Sequence, residues 1–88
     1  MDKVKALEQA INLVSSDRQK THGTALENHN NIALSWSVYL NKMITPHDVA
    51  IMMALLKIAR TKTGSFNADD YTDGAAYLAI AGELREEK

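Results

Sequence analysis

Eight consecutive apolar residues, from Val49 to Leu56, constrain the fold of this 88-residue chain more than any other feature. Thr45, Pro46 and Asp48 stand directly before them. The Thr45 hydroxyl can cap a helix, proline suits the first helical position, and an aspartate in the first turn favours the positive end of the helix dipole. The pattern predicts a helix over 46–62 that is apolar on every side, which is typical of a central helix.

Three more helices are predicted around it. The first covers residues 2–15, where apolar side chains recur at spacings of three and four residues. The second covers 25–41, with Trp36 expected as an anchor of the core. The fourth covers 69–86, with Asn67 as its cap. The face of the first helix consists of Val4, Leu7, Ile11 and Val14.

These elements predict an all-α protein, a compact four-helix domain that takes up residues 1–88 as a single unit. A chain of this size buries only about 60–65% of the surface that it exposes when unfolded, and it has no cysteine for disulfides. Three short helices cannot easily cover the apolar run 49–56 completely, so we expect a homo-oligomer formed through this central helix. The alternative is a fully internal helix.

The charge balance disfavours duplex nucleic acid as the main partner. Ten Lys and Arg stand against eleven Asp and Glu, and this balance lacks the net positive field that non-specific binding to a duplex requires. The first residues lead into an amphipathic stretch, so we expect neither a signal peptide nor a membrane span. The expected location is the cytoplasm of a host cell.

A first candidate site lies where the third and fourth predicted helices are connected. Lys57 and Arg60 are three residues apart near the end of one helix, and Asp70 and Asp73 are three apart at the start of the next. An antiparallel hairpin places the two pairs together, with Asp73 as the predicted partner of Lys57. The group can be a structural ion-pair network, a phosphate clamp of Lys57 and Arg60, or a divalent-metal site that includes the aspartates.

A second candidate site is the polar segment 15–24, which contains Arg18, His22 and Gly23. Arg18 and His22 can donate hydrogen bonds to an anion, Gly23 permits close approach of the backbone, and the start of the next helix offers N–H groups together with Asn28. A solvated connection is the alternative. The three histidines do not form a zinc-binding pattern, and the sequence contains no Walker-type phosphate loop and no nucleophile elbow.

The sequence also resembles a family of short phage and prophage proteins, over nearly the whole chain beyond the first helix. The resemblance rests on several motifs, which as they stand here are Asp17-Arg18-Gln19 with His22-Gly23, Asn28, Ile32-Ala33, Trp36-Ser37, Tyr39-Leu40, Ile44-Thr45-Pro46, Asp48-Val49-Ala50, Leu55-Leu56-Lys57-Ile58-Ala59-Arg60, and Asn67 with Asp70, Tyr71, Asp73 and Tyr77. A phage origin favours roles in nucleotide metabolism or in interference with host defence.

A more distant likeness is to the MazG-type all-α nucleotide pyrophosphohydrolases, in which helical carboxylates hold magnesium against a triphosphate. Asp70-x-x-Asp73 is similar to the second half of their motif. The first half departs from it, because the pair Glu27 and Asn30 has one carboxylate only. Under this likeness the implied magnesium ligands are Asp70, Asp73 and Glu27.

The leading functional hypothesis is therefore an oligomeric phage protein that binds a phosphate-bearing small ligand, a nucleotide or a cyclic nucleotide signal, and sequesters it against host defence without a cofactor. The ligand-binding residues would be Arg18, His22, Asn28, Lys57, Arg60 and Asn67. The alternatives are a magnesium-dependent nucleotide pyrophosphohydrolase and an interaction module that inhibits a host protein. The sequence favours a binding protein over an enzyme.

Overall fold

The computed structural model describes residues 1–15 and 23–86, which contain helices and no strands. The predicted all-α fold is confirmed, and the helix ends differ from the predicted ones by at most two residues. The helices are α1 (Lys3–Leu13), α2 (Ala25–Leu40), α3 (Pro46–Arg60) and α4 (Ala68–Glu86).

Two of the helices begin with the same reciprocal cap. At the start of α2, the Thr24 hydroxyl accepts a hydrogen bond from the Glu27 N–H at 3.0 Å, and the Glu27 carboxylate accepts one from the Thr24 N–H at 3.1 Å. Thr45 and Asp48 make the same pair of bonds at the start of α3, at 3.1 and 3.0 Å. Because these bonds satisfy N–H groups that have no partner within the helix, they fix where each helix begins.

Helices α3 and α4 form an antiparallel hairpin at the centre of the fold. Ala50, near the start of α3, packs with Ala81 and Leu84, near the end of α4. The connection between the helices includes Gly64 in the left-handed region, with φ of 76°. Helix α1 packs on α4, and α2 packs chiefly on α3.

The connection between α2 and α3 is held by side-chain bonds. Asn41 ends α2 in the left-handed conformation, with φ of 51°. The Ser37 hydroxyl accepts a hydrogen bond from the Ile44 N–H at 2.8 Å and donates one to the Ile44 carbonyl at 3.3 Å. This pair of bonds closes the turn that positions α2 against α3.

The core is made of small side chains. Of the eight buried hydrophobic residues among those described, six are alanine, and the others are Val49 and Leu84. The prediction that Trp36 anchors the core is wrong, because its side chain is only partly buried. The small core lets the helices approach closely, but each alanine removes little apolar surface from water.

Many large apolar side chains remain exposed. On α1 the predicted apolar face lies in solvent, because Val4, Leu7 and Ile11 are exposed while Ala10 packs inward. On α2, Val38 and Tyr39 are 83% and 88% exposed. Within the described residues, none of the helices combines the length and the apolar character needed to cross a bilayer.

Candidate functional site

A cavity of about 630 Å³ lies between the end of α1, the start of α2 and one side of α4. Along α4 its wall extends from Asp73 to Leu84, about 16 Å at 1.5 Å per residue. The remaining wall includes Met53 of α3 and the residues that end α1 and begin α2. Its polar lining residues are Ser15, Thr24, Asn28, His29, Asp73, Tyr77 and Glu83.

His29 is the most unusual residue of this wall. It is 6% exposed, and its Nδ1 lies 2.7 Å from the carbonyl oxygen of Ala25, one helical turn earlier. Because a carbonyl can only accept a hydrogen bond, Nδ1 carries the proton, and in the neutral ring Nε2 is then an acceptor. This buried Nε2 has no hydrogen-bond partner among the described residues, and an unsatisfied buried group of this kind costs roughly 1–3 kcal/mol.

Other groups around His29 suit an organic ligand. The Tyr77 ring meets the His29 ring edge to face, with 6.2 Å between the ring centroids and 63° between the planes. Asn28 lines the same cavity and carries both an amide donor and an amide acceptor. Gly23, with φ of 82°, stands at the entrance to α2, where the helix dipole places partial positive charge.

The predicted charge cluster forms two ion pairs across the α3–α4 hairpin. The Lys57 Nζ lies 3.1 Å from Oδ2 of Asp73, which confirms the predicted pairing. The Arg60 Nε lies 3.4 Å from Oδ1 of Asp70. Both members of the first pair are largely buried, whereas the second joins a buried carboxylate to a guanidinium that is 56% exposed.

The predicted ligand-binding residues fall into separate groups. Asn28 lines the cavity, whereas Lys57, Arg60 and Asn67 do not. Asn67 accepts a hydrogen bond from the Asp69 N–H at 3.0 Å and so caps the start of α4. Arg18 and His22 lie outside the described residues.

Asp73 connects the cavity with the charge cluster, because it lines the cavity and also forms the ion pair with Lys57.

Within residues 1–15 and 23–86, no group of three His, Cys, Asp or Glu side chains is placed to hold a metal ion. Glu27, the third proposed magnesium ligand, is engaged in its own helix cap. Asp73 and Glu83 both line the cavity but are separated by ten helical residues, about 15 Å, so they cannot bind one ion together.

The cap also changes the acidity of Glu27. The hydrogen bond from the Thr24 N–H, with a further contribution from the Thr24 side chain, lowers the pKa of Glu27 below its ordinary value of 4.5. Hydrogen bonds to the ionised form favour that form. The carboxylate therefore acts at the start of α2 as a fixed negative charge.

A family model described as a domain of unknown function, DUF6378, matches residues 5–85. The chain belongs to the DUF6378 family.

Curated relatives of this DUF6378 domain come from bacteriophages. The chain is 42% identical over 81 residues to the Gene 55 protein of Mycobacterium phage D29, a match that covers 92% of this chain and 54% of the relative. It is 36% identical over 80 residues to the Gene 55 protein of Mycobacterium phage L5, covering 90% of this chain and 51% of the relative. The chain thus spans about half the length of these relatives, and the predicted membership of a phage protein family is confirmed.

No solved structure matches this chain.

The sequence pattern indicates only part of the cavity wall. The pattern places His29 on the apolar stripe of the second helix, and a lone histidine on such a stripe is the signal that marks it. Glu83 gave no signal, because it belongs to a charged helix end that is typical of a solvated surface.

Proposed function

We propose that this DUF6378 domain binds a phosphate-bearing small ligand, a nucleotide or a cyclic nucleotide signal, in the cavity between α1, α2 and α4, and holds it without turnover. The observation that carries the proposal is the buried Nε2 of His29, which has no partner among the described residues and belongs to the cavity wall. A ligand that forms a hydrogen bond with this nitrogen offsets a cost that the protein alone leaves uncompensated.

The dimensions of the cavity support an organic ligand rather than a simple anion. Its volume of about 630 Å³ lies within the range of about 300–1,000 Å³ found for small-molecule sites. Its wall along α4 is also several times longer than an inorganic phosphate ion. A nucleotide, with a base, a sugar and phosphate groups, can use the whole length.

The lining offers a role for each part of such a ligand. Tyr77 supplies an aromatic ring and Asn28 an amide for the base or sugar. His29 accepts a hydrogen bond when neutral and donates one to a phosphate oxygen when protonated. Arg18 and His22 are proposed as phosphate ligands on the basis of the sequence alone. The segment that contains them is bounded by Ser15 and Gly23, which both line the cavity.

Lys57 and Arg60 have a different place in the proposal. Each already faces a carboxylate, so either could bind phosphate only by exchanging that partner or by sharing its N–H donors. The geometry favours the ion-pair network as their main role. The proposed biological purpose, sequestration of a host signal, rests on the phage origin of the relatives.

The test is equilibrium binding of a panel of nucleotides and cyclic oligonucleotides to the purified chain, followed by heat release and analysis of the bound fraction. Recovery of an intact ligand is expected. His29→Phe, which keeps an aromatic side chain and removes both nitrogens, should weaken binding at least tenfold. His47→Phe is the matched control, because His47 is a partly buried histidine that does not line the cavity. Equal losses in both variants, or no loss in His29→Phe, would refute the assignment.

The magnesium-dependent pyrophosphohydrolase is the second candidate, and the position of Asp73 in the cavity wall favours it. Magnesium is commonly held by one or two carboxylates together with substrate phosphates and water. The likeness of Asp70-x-x-Asp73 to the MazG-type motif points the same way. Release of pyrophosphate from a nucleoside triphosphate only with magnesium, and its loss in Asp73→Asn, would establish this function in place of sequestration.

The third candidate is an interaction module that docks on a host protein. The extent of exposed apolar surface is the observation that favours it. It predicts a stable complex with a host factor and no small molecule in the heat-released fraction.

A further inference from the structure

We infer that a second copy of this chain packs antiparallel on the outer face of α3, with the two Leu55 side chains meeting at a two-fold axis. The outer face consists of Asp48, Met52, Leu55, Ala59 and Lys62. Their spacings alternate between four and three residues, which is the repeat by which two helices pack along a seam.

The outer face lies on the side of α3 that faces away from its partners in the chain. Ala50 is fully buried and Lys57 turns toward Asp73 of α4. At 100° per residue, Leu55 points roughly opposite to this buried side. Leu55 is 57% exposed, Met52 is exposed, and Ile58 beside them is exposed as well.

The chain exposes more surface than a folded monomer of its mass usually does. A folded monomer of 9.7 kDa should expose about 5,100 Å² of surface. This chain exposes 6499 Å², an excess of about 1,400 Å². A stable interface of standard size removes about 800 Å² from each partner. The excess is larger than this and is spread over several helices, so the outer face of α3 supplies only part of it. A core of mainly alanine gives the isolated chain little hydrophobic stabilisation.

The charges at the two ends of the outer face favour an antiparallel second copy, in which the Asp48 carboxylate keeps its bond to the Thr45 N–H. Asp48 lies seven residues before Leu55, and Lys62 lies seven residues after it. Asp48 and Lys62 are therefore each about 10 Å from Leu55 along the helix axis. Lys62 lies in the turn that closes α3, where its N–H donates a hydrogen bond to the Ala59 carbonyl at 3.2 Å. An antiparallel copy places Lys62 of each chain opposite Asp48 of the other, whereas a parallel copy places like charges together.

This arrangement is independent of the proposed ligand site. Met53, the α3 residue in the cavity wall, is two residues from Leu55 and so projects from the other side of the helix. The two cavities of the pair would lie on its outside. Loss of the interface and loss of ligand binding are therefore separate experimental results.

The first test is the mass of the full chain in solution by sedimentation velocity at several concentrations. The natural chain should sediment at twice its mass of 9.7 kDa, and Leu55→Glu, which brings two carboxylates together at the axis, should sediment as a monomer with unchanged helical circular dichroism. Leu78→Glu on α4 is the matched control, since Leu78 is 59% exposed but lies on another helix; it should remain a dimer. A natural chain that stays monomeric at 100 μM, or a Leu55→Glu dimer, overturns the proposal.

The second test reports on the register without a loss of folding. Because the chain contains no cysteine, Leu55→Cys introduces one thiol per copy, and the two-fold axis brings the two thiols together. Mild oxidation should link most of the Leu55→Cys chains and leave Leu78→Cys chains largely unlinked. Equal linking of the two variants overturns the placement of Leu55 at the two-fold axis. A Lys62→Glu variant whose dimer Kd is unchanged overturns the antiparallel charge pairing.

Discussion

The Lys57–Asp73 ion pair gives the most quantitative prediction. At 3.1 Å, two unit charges attract each other by about 1.3 kcal/mol in a water-like dielectric and by about 5 kcal/mol at an effective dielectric constant of about 20. The side chains are 16% and 29% exposed, so the surroundings lie between these limits, and desolvation offsets part of the attraction. We expect a net coupling of about 1–3 kcal/mol.

The assay is a double-mutant cycle measured by urea unfolding at one fixed protein concentration, because the stability of an associating protein depends on concentration. Lys57→Met keeps the apolar stem, and Asp73→Asn keeps the shape of the carboxylate. The double variant should lose less free energy of unfolding than the two single variants added together. Arg60→Met with Asp70→Asn is the comparison cycle, and its coupling should be smaller because the Arg60 side chain is half exposed.

A Lys57–Asp73 coupling near zero would refute the reasoning. The ammonium group would then contribute nothing through the carboxylate beside it. In that case the phosphate clamp predicted from the sequence becomes the better explanation of Lys57, and nucleotide binding by Lys57→Met would decide the question.

Three further predictions concern the helix ends and the glycines. Thr45→Ala removes the hydroxyl that caps α3 and should lower the free energy of unfolding by about 1 kcal/mol, measured by urea unfolding; no loss would show that the cap is not needed. The pKa of Glu27 is lower in the folded protein than its ordinary value of 4.5, so Glu27 stabilises α2 above pH 4.5 and loses this contribution as the pH falls through the folded pKa. Glu27→Gln should therefore flatten the dependence of the free energy of unfolding on pH below 4.5. An unchanged pH profile would contradict this. Gly82 lies in a helix with nothing within 4 Å of an added Cβ, so Gly82→Ala should raise the free energy of unfolding by about 0.5–1 kcal/mol. Gly64→Ala, at φ of 76°, should lower it by about 1 kcal/mol. Thermal melts in which both variants shift in the same direction would be inconsistent with these backbone conformations.

Local signals predicted the helices well, because each signal acts within a few residues. Thr45, Pro46 and Asp48 form the predicted start of α3, since capping depends only on the next turn. The side of a helix that becomes covered depends on neighbours distant in sequence. The apolar stripe on α1 was therefore visible, but its exposure was not, and Trp36 was assigned to a core that alanines fill instead.

The same limit applies to the candidate site. Opposite charges at matching spacings on Lys57 and Asp73 were enough to predict their contact, because the hairpin aligns them. The cavity around His29 forms only where several helices meet, and the acceptor role of its Nε2 depends on the tautomer that the Ala25 carbonyl selects. The sequence carries no spacing that relates these residues. Arg18 and His22 remain predictions.

The placement of α2 has a kinetic consequence. Helices α3 and α4 share the largest contact in the fold, whereas α2 packs chiefly on α3 and leaves much of its second half in solvent. Amide hydrogen exchange should therefore show α2 opening through fluctuations that leave the central hairpin closed. Because His29 belongs to α2, each such opening also uncovers the buried imidazole, and the residence time of a ligand held there would follow the opening rate of one helix rather than the unfolding rate of the whole domain.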